Sequence, residues 1–241
     1  MSRPVRILST RPLEAALIEQ AAEKGIIIDV IPFIVTSFVK SEKDARQMQA
    51  LALRPQVAIF TSGNAVEAVA GLLQQQGMPG QLPWKIFCIS GATRRQVQEQ
   101  FGEETIAGTA PSAEQLAGVI LQPQHRHYPG TYFFYCGDLR RRELRDKLYK
   151  EAAIYLNEYI VYHTIQTPQI VTGHYDGIAF FSPSAVESYF SVNTPPPATT
   201  VLAIGNTTAD AIRTHCLNPV IVSTVPEQRI LVQQMIDYFS K

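Results

Sequence analysis

The sequence has no excess of charge of either sign and no long apolar run. Its 21 Lys and Arg residues balance 21 Asp and Glu residues, so the formal net charge is zero. That balance argues against nucleic-acid binding through bulk basic charge. The most apolar stretch, residues 25–35, contains Asp29 and Pro32 and is far shorter than a membrane span. Neither a nucleic acid nor a membrane is therefore expected as a partner.

Cysteines are also few, and several common motifs are missing. Cys88, Cys136 and Cys216 are widely separated and lack metal-binding spacing, so reduced, buried thiols are expected. The first ten residues contain no apolar core of a secretion signal, which predicts a cytoplasmic protein. The motifs for dinucleotide binding, the P-loop and the serine-hydrolase elbow do not occur. No nucleotide cofactor, covalent nucleophile or metal site is expected.

The pattern that is present is an alternation of strands and helices. A chain of 241 residues with 46% hydrophobic residues can bury a substantial core in one or two domains. Short apolar runs alternate with segments of helical periodicity, which is typical of parallel βα units. Strands are predicted at residues 5–10, 56–62, 85–90, 104–107, 131–136, 177–182, 200–205 and 219–224.

The second half of the chain repeats the first half in order. The stretch TSGNAVEAV corresponds to FSPSAVESY, with Ser62 matched to Ser182. Next, SGATRRQV corresponds to IGNTTADA, with Gly91 matched to Gly205. Finally, IAGTAPSAEQL corresponds to IVSTVPEQRIL. Three matches that occur in the same order indicate two similar α/β lobes.

Two segments, residues 28–39 and 154–170, interrupt the alternation. Both are rich in β-branched and aromatic residues, and neither leads directly into a helix. The predicted fold is therefore α/β, with two similar parallel-sheet lobes with flanking helices, joined by a two-stranded β linker. The predicted lobes are residues 1–30 plus 171–241 and residues 40–153, and the predicted linker is residues 31–39 and 154–170.

Polar residues follow almost every predicted strand. N-capping of the next helix accounts for most of them taken singly. Ligands, however, bind at the carboxyl ends of parallel strands. Free N–H groups and positive dipole ends on two facing lobes would line a cleft suited to carboxylates or phosphates. The candidate binding residues at these corners are Arg11, Ser62, Asn64, Thr93, Ser182, Ser184, Thr207 and Thr208.

Arginines supply further candidates for anion binding. Arg11 and Arg94 lie at corners, and each carries the bidentate fork that suits a carboxylate. The segment GDLRRRELRDK, residues 137–147, concentrates arginines at the start of a helix. Either a solvated helix face or an anion site explains that cluster.

Several of these stretches, taken in order, resemble the uroporphyrinogen-III synthase family. They are TSGNAV, PSAEQLAGVI, CGDLRRREL, VYHT, FFSPSAV and AIGNTTADAI. The likeness covers nearly the whole chain, although each motif is short. It implies two α/β lobes on a two-stranded linker and no cofactor. It also implies the closure of hydroxymethylbilane, a linear tetrapyrrole with eight carboxylates, to uroporphyrinogen III, with loss of water and inversion of ring D.

The resemblance further implies that Tyr162, in VYHT, donates a proton to the departing hydroxyl group. Packing at the linker is the alternative role for this residue. A phenol is a hydrogen-bond donor at neutral pH. Hydroxymethylbilane synthase is the implied upstream enzyme, and a monomer is expected. The family often has proline where this chain has Asn206, but the rest of this corner fits the family pattern.

Three other functions stay open at this point. A non-catalytic relative would bind a tetrapyrrole or another anion without closing it. A two-lobed binding protein of the periplasmic kind has similar hinge strands, but no secretion signal is seen here. A sugar-nucleotide transferase has paired nucleotide-binding lobes, but no phosphate-binding fingerprint occurs in the sequence.

Overall fold

A computed structural model describes residues 3–78, 82–125, 128, 131–140 and 142–240. The chain divides into two compact units. Unit 1 comprises Met1–Val35 and Ile165–Lys241, and unit 2 comprises Thr36–Thr164. Each unit contains a sheet whose strand pairs are mainly parallel, with helices between the strands. The predicted α/β class with two parallel sheets is therefore confirmed.

The helices and strands follow the predicted alternation. The first part of the described chain contains β1 (Val5–Ser9), α1 (Ala15–Ala22), β2 (Ile26–Val30), β3 (Ile34–Phe38), α2 (Glu42–Ala52), β4 (Gln56–Phe60), α3 (Gly63–Gln75), β5 (Trp84–Ile89), α4 (Ala92–Phe101) and β6 (Ile106–Ala110). The second part contains α5 (Ala113–Ile120), β7 (Thr131–Gly137), α6 (Glu143–Ala152), β8 (Asn157–Gln166), β9 (Gly177–Phe180), α7 (Pro183–Phe190), β10 (Thr200–Ala203), α8 (Asn206–Arg213), β11 (Val220–Val222) and α9 (Gln228–Phe239).

The two sheets have the same internal order of corresponding strands. Unit 1 has the order β2-β1-β9-β10-β11, and unit 2 has β8-β7-β4-β5-β6 followed beyond β8 by β3. The sequence repeat matches β4, β5 and β6 to β9, β10 and β11, and these strands occupy equivalent places. Strands β7 and β8 then correspond to β1 and β2. The units are thus circular permutations of one βα pattern.

The first segment that interrupts the alternation, residues 28–39, covers the end of one strand and the whole of the next, and the predicted linker, residues 31–39, contains only the second of them. Strand β2 belongs to the sheet of unit 1, whereas β3 lies at the edge of the sheet of unit 2, next to β8. In unit 2, the Val39 N–H donates to the Val161 carbonyl at 3.0 Å. The division between the units falls after Val35 and after Thr164, inside both segments predicted as a linker.

The strand predicted at 104–107 begins later in the structure. Glu103–Thr105 form a short 3-10 turn after Gly102, whose φ of 88° lies in the left-handed region. Most residues other than glycine avoid this conformation because of their β-carbon. The turn moves the start of β6 to Ile106.

The core of unit 2 surrounds its central strand. All of Val57, Ala58, Ile59 and Phe60 are fully buried, as expected for a parallel strand covered by helices on both faces. The Phe60 ring stacks on Phe101 and Tyr135, with centroid distances of 5.9 and 5.4 Å. This packing fixes the carboxyl end of β4, where the next helix begins.

Candidate functional site

Ligands bind parallel α/β sheets at the carboxyl ends of strands, at the point where neighbouring strands lead the chain to opposite sides. In unit 2 this switch point lies between β4 and β7, because β4 leads to β5 and β7 leads to β8 on the other side. In unit 1 it lies between β1 and β9 for the same reason. The corners after these four strands are therefore the best candidates within each unit.

Unit 2 brings Tyr162 to the corner that follows β4. The Tyr162 hydroxyl lies 3.1 Å from Ser62 Oγ, and either oxygen can be the donor. Ser62 is also the N-cap of α3, since its Oγ accepts a hydrogen bond from the Ala65 N–H at 3.3 Å. A phenol and a capping hydroxyl thus meet at the switch point of unit 2.

The surroundings of Tyr162 keep its phenol protonated. Burial raises the pKa of Tyr162 above its usual value, and the hydrogen bond with Ser62 acts in the opposite direction. The nearby Cys136 and Asp138 raise the pKa further. Because the net shift is upward, the half-buried side chain is a neutral hydrogen-bond donor at neutral pH. It can supply a proton to a group that develops negative charge.

The other candidates in unit 2 lie at two corners. Asn64 lies in the first turn of α3, near Ser62, and its side-chain amide donates to Thr36 Oγ1 at 3.3 Å. Thr93 lies one strand away, in the first turn of α4, and is 5% exposed. The structure therefore brings Ser62, Asn64 and Tyr162 together and places Thr93 at the corner after β5.

In unit 1, Ser182 has the same position that Ser62 has in unit 2. It is the N-cap of α7, and its Oγ accepts a hydrogen bond from the Ala185 N–H at 3.2 Å. Ser184 lies half-buried in the first turn of the same helix. Among the described residues, no tyrosine hydroxyl contacts Ser182. The capping interpretation holds for both serines, but only Ser62 also reaches a phenol.

Arg11 lies at the other corner of the unit 1 switch point, after β1. Its guanidinium carbon is 5.6 Å from the centroid of the Phe181 ring, within the range of a cation–π contact. Desolvation lowers the pKa of Arg11, but an arginine in a protein stays charged. Within the described part of the chain, no carboxylate pairs with this side chain. Its charge is therefore available to a bound anion.

Helices α4 and α8 each begin at a glycine, which offers no side chain for capping. Helix α4 follows Gly91, and α8 follows Gly205, the residues matched by the sequence repeat. Gly91 has a φ of 78°, which favours glycine, whereas Gly205 is extended. The first N–H groups of a helix lack intrahelical partners and carry the positive end of its dipole. Thr93, Thr207 and Thr208 lie in these first turns.

Two arginines of the cluster in residues 137–147 are paired with acidic side chains. Arg140 makes two hydrogen bonds to Glu158, through its Nε at 2.9 Å and through a terminal nitrogen at 2.5 Å. Arg145 contacts Asp146 at 3.2 Å and lies 3.7 Å from Glu158. These contacts favour a structural role for Arg140 and Arg145. Arg141 lies outside the described residues.

We also searched the described residues for a cavity, a metal site and a membrane-spanning helix. A cavity of about 460 Å³ runs along α3 and α4 but is not lined by Ser62 or Tyr162. The described residues contain no group of three or more His, Cys, Asp or Glu side chains placed to hold a metal ion. None of the described helices combines the length and the apolar character that crossing a membrane requires.

Sequence reasoning did not include Gly137 and Asp138 among the site residues, although Gly137 ends β7 and Asp138 follows it at the switch point. A β-carbon built on Gly137 would lie 2.5 Å from Cζ of Tyr162. The Asp138 N–H donates to the Tyr162 carbonyl at 3.2 Å. The available signal was the dipeptide Gly-Asp at a strand end, which also fits an ordinary turn.

The two capping serines predict a separation of stability from activity. Ser62→Ala and Ser182→Ala each remove one N-cap, so each is expected to lower the free energy of unfolding by about 1 kcal/mol. Only Ser62→Ala also removes a contact with Tyr162, so only this variant should lower kcat, by about 2- to 12-fold. Urea unfolding and steady-state kinetics measure the two effects. Equal kcat values for the two variants would contradict the assignment of Ser62.

Comparisons with known proteins give a matching family model and several solved structures with a similar fold. The family model described as uroporphyrinogen-III synthase HemD matches residues 15–233. A mutant uroporphyrinogen III synthase from the extremely thermophilic bacterium Thermus thermophilus has a similar fold, with a TM-score of 0.65 at 20% identity, covering 97% of this chain and 98% of that one. The uroporphyrinogen-III synthetase of Helicobacter pylori 26695 gives a TM-score of 0.63 at 14% identity, covering 97% and 99%. A search of curated proteins finds no significant match.

Proposed function

The chain belongs to the uroporphyrinogen-III synthase family, whose members are lyases of tetrapyrrole biosynthesis, and we propose that Tyr162 is the general acid of its reaction. The substrate is hydroxymethylbilane, and the product is uroporphyrinogen III. In this proposal the switch-point corners bind the carboxylates of the bilane. The reaction then needs a proton donor near the hydroxyl group that leaves.

The position of Tyr162 supports this proposal more than any other observation. Its phenol lies at the switch point of unit 2, half-buried and 3.1 Å from Ser62 Oγ. Burial raises its pKa, so the proton is present throughout the neutral range. A positioned general acid typically accelerates a step by about 10²- to 10⁴-fold.

The proton balance of this step is simple. The Tyr162 phenol gives its proton to the hydroxyl oxygen of the bilane, the C–O bond breaks, and water leaves. The electron pair of the adjacent pyrrole nitrogen stabilises the carbocation left on the methylene carbon. Ring D then attacks this carbon through the ring carbon that already carries its methylene bridge. The bridge bond breaks and re-forms at the other α-carbon of ring D, so that the ring is inverted. That α-carbon loses a proton, which returns to the phenolate. The net change is the loss of one water molecule.

Binding of the carboxylates rests on groups that each unit supplies separately. Unit 1 contributes the guanidinium of Arg11, which no described carboxylate pairs, and the N-terminus of α8, which has no side-chain cap. Unit 2 contributes the N-terminus of α4, which likewise follows a glycine. Backbone N–H groups at helix N-termini bind anions through hydrogen bonds and the helix dipole. Ser182, Ser184 and Asn64 complete the proposed set of binding residues.

Binding through backbone groups predicts small effects from side-chain truncation. Thr207 is exposed in the first turn of α8, so Thr207→Ala leaves the helix N–H groups in place. We expect kcat/KM to change by less than about 10-fold, within the net value of one neutral hydrogen bond. Steady-state kinetics, with the melting temperature as a control for folding, measure this. A loss of about 100-fold would show that the Thr207 hydroxyl itself is required.

The assay of isomers tests the proposed function directly. Hydroxymethylbilane is generated in solution, the protein is added, and the oxidised products are separated by chromatography. Excess type III isomer over a protein-free control is expected. Only type I isomer, formed at the spontaneous rate while the bilane still binds, would overturn catalysis and favour a binding protein.

We also propose a cellular location and an oligomeric state for this protein. We place the protein in the cytoplasm as a monomer that needs no cofactor and receives its substrate from hydroxymethylbilane synthase. Burial raises the pKa of the Cys88 thiol to about 11 and that of Cys136 to about 12, so both stay protonated. Such thiols suit a reducing compartment. Sedimentation equilibrium tests the monomeric state.

A further inference from the structure

Strand β8 contains an irregularity next to the proposed acid. Residues 133–136 of β7 pair in regular register with residues 157–160 of β8. The register then shifts, so that Gly137 is opposite Tyr162 and Val161 is the additional residue. Irregularities of this kind re-aim side chains and occur often beside active sites.

The shift changes the face on which Tyr162 packs. Side chains alternate between the two faces of a regular strand, so Tyr162 would face away from Tyr159 and Val161. In the structure, Tyr159, Val161 and Tyr162 all contact the same apolar cluster of unit 2. The irregularity therefore turns Tyr162 toward the face that carries Ser62.

Gly137 supplies the space into which the turned side chain fits. A β-carbon at this position would lie 2.5 Å from Cζ, 2.6 Å from Cε2 and 2.8 Å from the hydroxyl oxygen of Tyr162. Contacts under 3.0 Å essentially never occur for real β-carbons. Any side chain at 137 would thus displace the phenol from its contact with Ser62.

Asp138 contacts three successive residues of β8, two of them through their backbone. Its N–H donates to the Tyr162 carbonyl at 3.2 Å. Its Oδ2 lies 3.2 Å from His163 Nδ1, and its Oδ1 accepts hydrogen bonds from the N–H groups of Thr164 and Leu139, both at 3.0 Å. A single aspartate therefore ties the end of β7 to the segment that carries the proposed acid.

We propose that Gly137 and Asp138 are positioning residues that fix the Tyr162 hydroxyl at the switch point of unit 2. This inference rests on the proposed role of Tyr162. Gly137 acts by leaving room for the ring, and Asp138 acts by fixing the backbone at the Tyr162 carbonyl and at the Thr164 N–H. Neither residue needs to touch the substrate. Together with the register shift, they place the phenol beside Ser62.

Gly137→Ala tests the inference, with Gly118→Ala as a matched control. A β-carbon at Gly118, in α5, would meet nothing within 4 Å. Gly137→Ala is expected to lower kcat by about 10-fold or more with little change in KM, the result of losing an interaction made only in the transition state. Gly118→Ala should keep kcat. The Tyr162 Cζ resonance can be observed in a protein with ¹³C-labelled tyrosine rings and assigned by its absence in Tyr162→Phe. This resonance should shift in Gly137→Ala and stay unchanged in Gly118→Ala.

A double variant separates this inference from the proposed function. If Gly137 acts through the phenol, Gly137→Ala should cause no further loss of kcat in a Tyr162→Phe background. If Tyr162→Phe keeps full turnover, the proposed acid is wrong. If Tyr162→Phe loses turnover but Gly137→Ala retains it, or if Gly137→Ala is equally harmful in both backgrounds, the positioning inference is wrong.

Asp138 variants test the positioning inference if Gly137→Ala does not fold. Asp138→Ala removes the acceptors for the Thr164 and Leu139 N–H groups and should lower kcat about 10-fold with little change in KM. Asp138→Asn keeps one oxygen acceptor and should restore most of the turnover. Equal loss in the two variants, or no loss in Asp138→Ala, would overturn the role assigned to Asp138.

Discussion

Replacing Tyr162 by phenylalanine is expected to lower kcat by about 100-fold or more, the usual range for loss of a general acid. The ring stays in place, so packing against Gly137 and the apolar cluster of unit 2 is preserved. The variant removes only the phenol hydroxyl, which is the proposed proton donor, and its contact with Ser62. KM should change little, because the lost interaction acts on the leaving hydroxyl group rather than on the carboxylates.

The same strand offers a matched control. The Tyr159 hydroxyl is buried and has no hydrogen-bond partner within the described chain. Tyr159→Phe removes that hydroxyl without breaking a hydrogen bond, so neither kcat nor the free energy of unfolding should fall. A comparable loss of kcat in both variants would indicate a general effect of removing phenols from β8.

The pH dependence gives a second check on Tyr162. A general acid must be protonated to act, and the pKa of Tyr162, the proposed acid, is raised above the usual value of about 10. Turnover should therefore show no alkaline loss from Tyr162 between about pH 7 and 9, and a loss should begin only as pH approaches the raised pKa. An alkaline limb centred below about pH 9 would have to come from another group. Full turnover in Tyr162→Phe would remove this residue from the mechanism.

Replacing Arg11 by glutamine is expected to raise KM for the bilane by about 10-fold or more. A hydrogen bond to a charged group contributes about 1.5–3 kcal/mol, which corresponds to roughly 10- to 150-fold in affinity. Arg11 has no acidic partner in the described chain, and its guanidinium lies over the Phe181 ring. Its charge is therefore free to bind a substrate carboxylate, with kcat changed much less than KM.

Arg94 provides the control for Arg11. Both arginines lie at corners, but Arg94 is paired with Glu103 at 2.5 Å. The pair is solvent-exposed, and such pairs contribute at most about 1 kcal/mol. Arg94→Gln should leave KM nearly unchanged. Arg11→Lys should retain part of the affinity, because lysine keeps the charge but not the bidentate fork. Unchanged KM in Arg11→Gln would remove Arg11 from the binding site.

The sequence alone predicted the α/β class and two parallel sheets because these depend on local patterns. Alternating apolar runs and helical periodicity indicate βα units. The repeat matches β4, β5 and β6 to β9, β10 and β11, and the two sheets hold these strands in equivalent order. Capping by Ser62 and Ser182 is equally local, since a serine before a helix bonds an N–H three residues later.

The tertiary structure decided which of the many polar corners lie at a switch point. That property depends on the order of strands in each sheet, and strand pairing joins residues far apart in the sequence. Ser62 and Tyr162 are 100 residues apart, yet their oxygens lie 3.1 Å from each other. The pairing of Arg94 with Glu103 and the lack of a described partner for Arg11 are likewise properties of side-chain positions.

The orientation of the Tyr162 side chain is the clearest example of a property that only the tertiary structure decided. Its motif, VYHT, was recognisable in the sequence, but regular alternation would have turned the ring to the other face of β8. A register shift against β7 and the missing β-carbon of Gly137 bring it to Ser62. Local sequence preferences determine which segments become strands and where helices begin. The direction of a side chain at an irregular strand pair depends on contacts between distant segments, and only the folded chain contains them.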